Sequence, residues 1–360
     1  MYQSFEAKNF RCFRDVTIKD LARVNLIAGL NNVGKTSLLE ALFFHCGAYN
    51  PGLIKNLWGW RGIPKIVTQL NEWAEGPWAS VFRDLDTSKE VKLAGRFSGK
   101  DKRTLQLRVI REPSELAKIS ASLFSPQRNA QQEAPPFSIS HVLELEYHDK
   151  RREGKVLWIL GPQGPFPFPE PTPAPSQAVF ISARTRVPIN EDVQRFSDMK
   201  VAGQLDTLEA ALRIIEPDLQ ELSLLSSGGL VLIHAQVGGT APMPLLFLGE
   251  GMVRITSLIL AIGAARGGVV LVDEIENGLH HSVLVNLWRA IAEAARKFDV
   301  QVFATTHSWE CISAAHNAFS ASKTDDLALH RLDRAGEETR AVAYDRETLE
   351  AAIQEGFEVR

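Results

Sequence analysis

The chain has 360 residues, 45% of them hydrophobic and 23% charged, with a formal net charge of -3, the profile of a globular protein with room for one big domain or two ordinary ones. That balance excludes a globally basic nucleic-acid binder, so any DNA contact needs a local basic stripe. Cys12, Cys46 and Cys311 follow no metal-ligand or redox spacing, no apolar run approaches a membrane span, and the opening MYQSFEAKNFRCF is unlike a secretory leader, so a cytoplasmic, membrane-free protein is expected.

Residues 2–28 alternate in a strand-like way and end in the apolar run Val24-Asn25-Leu26-Ile27-Ala28, stopped by Gly29. From Lys35 to Gly47 the period becomes helical, with Leu38, Leu39, Ala41, Leu42 and Phe43 as the expected buried face. Residues 50–112 begin with Trp58, Trp60, Trp73 and Trp78 and continue into strand candidates at Glu90–Phe97 and Thr104–Arg111. The polar stretch 113–138 reads as an insertion, and His141–Tyr147 and Lys155–Leu160 read as antiparallel strands around a charged turn. Prolines at every second or third position from Pro162 to Pro175 predict an extended surface loop that is neither helix nor central strand.

Beyond the prolines, strands are expected at Ala178–Ser182, Leu230–Ala235, Pro244–Phe247, Val269–Val272 and Val300–Thr305. Helices are expected at Gln204–Ile215, Gly251–Ala265 and Ser282–Lys297. Alternating strand and helix imply a parallel sheet in the second half, whereas the first half is richer in antiparallel strands. The boundaries are a core of 1–48 and 178–320, inserted strands and the Pro-rich loop at 50–177, and a C-terminal strand pair and helix at 321–360.

Three segments carry chemistry. Gly29-Leu30-Asn31-Asn32-Val33-Gly34-Lys35-Thr36-Ser37 fits the phosphate-loop pattern between an apolar strand and a helix. Its glycines let backbone N–H groups curl around phosphate oxygens at a helix N-terminus. Lys35 would hold the β- and γ-phosphates of ATP, and the Thr36 hydroxyl would bind Mg²⁺. The run Val269-Val270-Leu271-Val272 ends in Asp273-Glu274, an acidic pair that is costly at a buried strand end unless it faces a cation or solvent. Asp273 is the expected second Mg²⁺ residue and Glu274 the general base for the attacking water. Thr305-Thr306-His307-Ser308 ends the next apolar strand, which places His307 on the same carboxyl-end rim.

With Asn9-Phe10-Arg11 ahead of the loop, Asn31-Asn32 inside it, DEIENGLH at 273–280 and TTHS at 305–308, the chain resembles ABC-class ATPases of the SMC, RecF and OLD (overcoming lysogenization defect) group. The likeness is greatest to stand-alone OLD-type AAA-family ATPases found in bacterial defence and mobile-element operons, over residues 1–48 and about 178–320. It implies an α/β P-loop NTPase with a mixed, largely parallel central sheet, an antiparallel N-terminal lobe and a helical subdomain. The family's signature motif maps to Leu248-Gly249-Glu250-Gly251-Met252-Val253-Arg254, with Gly249 where serine is usual. The resemblance places Gly249 and Gly251 against ATP bound to a second subunit and His280 at the same interface. Arg11 maps to a nucleotide-contacting arginine, while the Q-loop glutamine has no clear match, Gln204 being a guess.

The resemblance therefore implies a homodimer that sandwiches two ATP molecules and acts as a switch for a separate effector, such as a nuclease, in a defence system. A TOPRIM nuclease domain is not expected, since only a strand pair, a final helix and scattered acids such as Asp325, Asp326 and Asp333 follow His307. The alternative is a RecF-like DNA-repair ATPase, against which the missing heptad run counts. A third possibility is a nucleotide-sensing scaffold without turnover, against which Glu274 counts. DNA contact is open through the basic turns Lys100-Asp101-Lys102-Arg103, Lys150-Arg151-Arg152 and Arg184–Arg186.

Overall fold

The computed structural model describes residues 1–47, 78–99, 101–123, 142–150, 152–161, 164–169, 176–320 and 326–355. Trp58, Trp60 and Trp73 and most of the proline run lie outside them. In chain order the first elements are β1 (Tyr2–Phe10), β2 (Phe13–Ile18), β3 (Val24–Ala28), α1 (Lys35–Cys46), β4 (Val91–Phe97), β5 (Lys102–Ile110), α2 (Pro113–Leu123), β6 (Val142–His148), β7 (Glu153–Gly161) and β8 (Gly164–Phe168). Then come β9 (Ala178–Ile181), α3 (Ile189–Val201), α4 (Leu205–Arg213), β10 (Leu219–Ser227), β11 (Leu230–Val237), β12 (Met243–Pro244), α5 (Glu250–Ala264), β13 (Val269–Val272), α6 (Leu284–Lys297), β14 (Gln301–Thr305), α7 (Trp309–Ser320), β15 (Leu327–Ala335), β16 (Glu338–Tyr344) and α8 (Arg346–Gln354).

The central sheet runs β16-β15-β3-β14-β13-β9. All its neighbours are parallel except β16, which pairs antiparallel at the edge. The residues of β3, β13 and β14 are all buried, which explains why they read as unbroken apolar runs: both faces of the sheet are covered. Alternate side chains feed two cores. Val24, Leu26, Val270 and Val302 face the helical side, and Ile27, Leu271 and Phe303 face α1 and the N-terminal lobe.

That lobe is a seven-stranded antiparallel sheet ordered β2-β1-β4-β5-β6-β7-β8. Helix α1 lies between it and the central sheet, touching β1 and β4 on one side and β9, β13 and β14 on the other. The expected single buried face of α1 is therefore too narrow: every residue from Ser37 to Cys46 is buried. Buried polar groups along this seam are bonded. Gln301 accepts from the Tyr2 N–H at 2.7 Å and donates to the Tyr2 and Ala22 carbonyls at 3.0 and 2.7 Å. In the last turn of α1, His45 Nδ1 lies 2.7 Å from the Tyr2 hydroxyl and Nε2 lies 3.0 Å from the Arg103 carbonyl. Burial and the nearby Arg103 charge depress its pKa to about 3, so the ring is neutral and accepts from Tyr2 while donating to Arg103.

Elsewhere the sequence reading needs correction. Residues 164–168 of the proline run form the edge strand β8, tolerated because an edge leaves one row of N–H positions unpaired. Pro113 opens α2 inside the supposed insertion, where its missing N–H costs nothing. Pro244–Phe247 is not a strand: after the two-residue β12 the chain tightens into a 3-10 turn, Leu245–Phe247, leaving Phe247 74% exposed ahead of α5. Helix α3 and strand β10 were not anticipated. With α4, β11 and β12 they form the lobe that packs on α5 and α6.

Candidate functional site

Four parallel strands, β3, β14, β13 and β9, end on one rim, and the sequence-predicted residues gather there. The loop after β3 needs glycine at both ends. A Cβ on Gly29 would stand 2.6 Å from the Leu332 carbonyl, and one on Gly34 would stand 2.6 Å from the Phe13 ring and 2.7 Å from Cys12 Sγ. Both backbones have positive φ, as does Asn32 between them at 65°. Asn31 and Asn32 are exposed at the loop tip, and Ser37 is buried behind it.

Lys35 Nζ donates to the Gly29 and Leu30 carbonyls at 2.6 and 3.0 Å, which folds the side chain back across the loop. Burial lowers the Lys35 pKa, and the carboxylates of Glu274, Asp273 and Glu276 oppose that. The Thr36 hydroxyl donates to Asp273, 3.0 and 3.1 Å from its two oxygens, while Thr305 at the end of β14 donates to Oδ1 at 2.8 Å. Asp273 is 7% exposed. Burial raises its pKa against those two hydroxyl donors, and Glu274 and Glu40 raise it further. Such a carboxylate is stabilised by a cation. Thr36 and Asp273 present converging hard oxygen donors of the kind Mg²⁺ takes alongside nucleotide phosphates, which supply the remaining ligands. No group of three His, Cys, Asp or Glu among the described residues would hold a metal unaided.

Glu274 follows the strand end in the left-handed region, φ 47°, and gives its N–H to Thr305 Oγ1 at 2.8 Å. Together with Thr36, Glu40, Ser182, Arg184 and Asp273 it lines a cavity of about 100 Å³. His307 is on the rim but half-exposed. Its N–H donates to Glu276 Oε1 at 3.0 Å, and its Nδ1 is 3.3 Å from the same oxygen. Arg11 lies against α1, with Nε 2.8 Å from the buried Glu40 carboxylate that borders the cavity.

The signature glycines do not line this cavity. Gly249 caps α5 with φ 106° and has nothing within 4 Å of a Cβ position; Gly251 follows in the first turn, near Leu279. Glu250 pairs with Arg186 at 2.9 Å on the surface. His280 is exposed and caps a short turn through Ser282. Gln204 caps α4 in the helical lobe, so it is not at the rim; Ser182 and Arg184, beyond β9, line the cavity instead.

Sequence reasoning missed Thr305, Glu40 and Arg254. Thr305 stood in the TTHS segment, and its fully buried hydroxyl at a strand end was the signal available. Three cations of the basic turns are paired with acids: Arg103 with Asp149, Lys150 with Asp101 and Arg186 with Glu250. Lys100 and Arg151 lie outside the described residues.

Residues 78–313 match the family model described as "AAA domain, putative AbiEii toxin, Type IV TA system". The chain belongs to this AAA-domain family. A second AAA-domain model matches residues 4–133, which include the phosphate loop. A relative named "ATP/GTP phosphatase" from Helicobacter pylori is 25% identical over 334 residues, spanning 87% of this chain and 86% of its own. Two SMC head structures share the fold. One, with an extended coiled coil and bound to the C-terminal domain of ScpA from Pyrococcus furiosus, has a TM-score of 0.51 at 11% identity, covering 99% of each chain. The other, bound to the C-terminal winged-helix domain of ScpA, has 0.50 at 11%, covering 98% and 99%. The AAA-domain protein is thus an ATPase with the SMC-head, ABC-type α/β fold expected from sequence. No helix among its described residues is long and apolar enough to cross a membrane.

Proposed function

We propose that this ATPase is an OLD-type molecular switch in which two copies close around two ATP–Mg²⁺ and control a separate effector, such as a nuclease, in bacterial defence. The observation that carries the catalytic part is Asp273: its carboxylate takes hydroxyl donors from Thr36 of the phosphate loop and Thr305 of the neighbouring strand. In this reading Lys35 and the loop N–H groups hold the phosphates, and Thr36 and Asp273 hold Mg²⁺. Glu274 takes the proton from the attacking water, with His307 and Arg11 at the edges. Mg²⁺, when bound, neutralises charge on the transferring phosphoryl group.

The dimer follows from what one chain lacks. Gly249 and Gly251 do not line the cavity beside Asp273 and Glu274, and a Cβ position on Gly249 faces open space. A second copy's phosphate loop would fill that space. A place in a defence system draws support from the family description, which names a putative toxin of a type IV TA system. The RecF-like alternative has less support, because Arg103, Lys150 and Arg186 of the basic turns are each paired with an acid.

Glu274→Gln is expected to cut turnover about 1,000-fold and to accumulate an ATP-bound dimer on size-exclusion light scattering. A variant that stays monomeric with ATP would sink the sandwich reading. A large rise in ATPase rate with duplex DNA would favour the repair alternative.

A further inference from the structure

We propose that Arg254 is a positioning residue for hydrolysis, coupling the signature-bearing helix α5 to Glu274; this rests on the assignment of Glu274 as general base. Arg254 lies three residues beyond Gly251 on α5. Its guanidinium donates to the Glu274 carbonyl at 2.8 Å and sits 3.5 Å from the Asp273 carbonyl. The recipient is the one acidic residue at the rim with a positive φ, a conformation that costs a side-chain-bearing residue about 1–2 kcal/mol and persists only where neighbours over-determine it.

Both backbone polar groups of Glu274 are held. Thr305 accepts the N–H, and Arg254 donates to the carbonyl, so the direction of the Cα–Cβ bond that launches the carboxylate is set from two sides. The two holders differ in kind. Thr305 belongs to the central sheet, whereas Arg254 belongs to the helix whose first turn is the signature.

Arg254 is half-buried. Burial lowers its pKa, and the carboxylates of Glu276, Glu250, Glu274 and Asp273 around it oppose that. It also borders a cleft of about 580 Å³ between the segment after β9 and the helical lobe, lined by Ile181, Val187, Leu232 and Leu245 among others. The cleft leaves α5 room to shift against the rim. When Gly249–Gly251 meet a second copy's nucleotide, movement of α5 reaches Glu274 through this guanidinium. The base is then aligned in one copy by engagement of the signature, and hydrolysis waits for closure.

The test uses the full chain with Arg254→Gln, Arg254→Lys, Glu274→Gln and the Arg254→Gln/Glu274→Gln double variant. Steady-state kcat and KM, calorimetric ATP affinity and ATP-dependent dimer mass are measured for each. Arg254→Gln is expected to lower kcat about 30-fold, with KM and ATP affinity within about twofold, and Arg254→Lys to recover to within about fivefold. The double variant is expected to form the same ATP-bound dimer as Glu274→Gln. A kcat within about twofold of the parent, an equal loss of ATP affinity, or loss of the dimer in the double variant overturns the proposal. If Arg254→Gln does not fold, Arg254→Lys decides: about a fivefold kcat loss at unchanged affinity supports coupling, and none overturns it. Parent-like turnover in Glu274→Gln would instead remove the base assignment itself.

Discussion

Around the phosphate loop the groups are buried and bonded to one another: Asp273 is 7% exposed, Lys35 is 8% exposed, and Thr305 reaches both Asp273 and the Glu274 N–H. Around the signature the groups face outward: Phe247 is 74% exposed, a Cβ position on Gly249 faces open space, and the Arg186–Glu250 pair is solvated. The loop tip is the exception on the first side, with Asn31 and Asn32 exposed and Leu30 exposed to 67%. A cluster that satisfies its own polar groups can be assembled by one chain. An exposed aromatic beside a bare glycine gains most from another surface.

That contrast can be broken in graded steps. The largest effect is expected from Lys35→Ala, which removes the charge on the phosphates and should weaken ATP binding about 100-fold by calorimetry, with the thermal midpoint little changed. Phe247→Asp should leave ATP affinity of the monomer intact while raising the dimer dissociation constant about tenfold or more in sedimentation runs. If it reduces ATP affinity as Lys35→Ala does, the division into a self-contained and an outward-facing half is wrong. Thr305→Val keeps the shape but strands the Glu274 N–H, and should lower kcat about tenfold and stability by about 1–3 kcal/mol in urea unfolding.

Acid tests the same contrast by another route, and it separates the halves by their anchors. His45 titrates near 6.5 when unfolded but only at about 3 in the folded chain, so the unfolded state binds more protons between those values. Stability contributed by its neutral form is complete above about pH 6.5 and is lost as pH falls toward 3, at up to about 1.4 kcal/mol per pH unit. His45→Gln should flatten that window. A profile as steep as the parent's would mean the α1 side is not where acid acts.

The chemistry-bearing strands were legible because each joined a continuous apolar run to a short polar motif at its carboxyl end, as in Val269–Val272 before Asp273-Glu274. The parallel sheet followed from alternation of elements. Helix α3 was hidden because polar and charged residues outnumber the apolar ones and its buried residues are few, Asp192, Phe196 and Met199. Arg254 was hidden for another reason. Its partner is a backbone carbonyl twenty residues away, and no residue type at position 274 advertises that bond. The seven-residue reading of the signature named Arg254 without a role, because hydrogen bonds to main chain leave no trace in side-chain pattern. The Leu245–Phe247 turn misled for a third reason: its apolar run looks like a strand, while its outermost ring faces solvent.

Helix α1 has two sheets for neighbours and no wet side. A helix gripped in this way cannot slide without parting from two sheets at once, so it serves as a fixed post carrying the phosphate loop. Displacement driven by nucleotide is then directed to the other face of the central sheet, where one loop after β9 joins the helical lobe. Amide exchange would register this as the slowest protons in α1 and faster ones in β10 and β11.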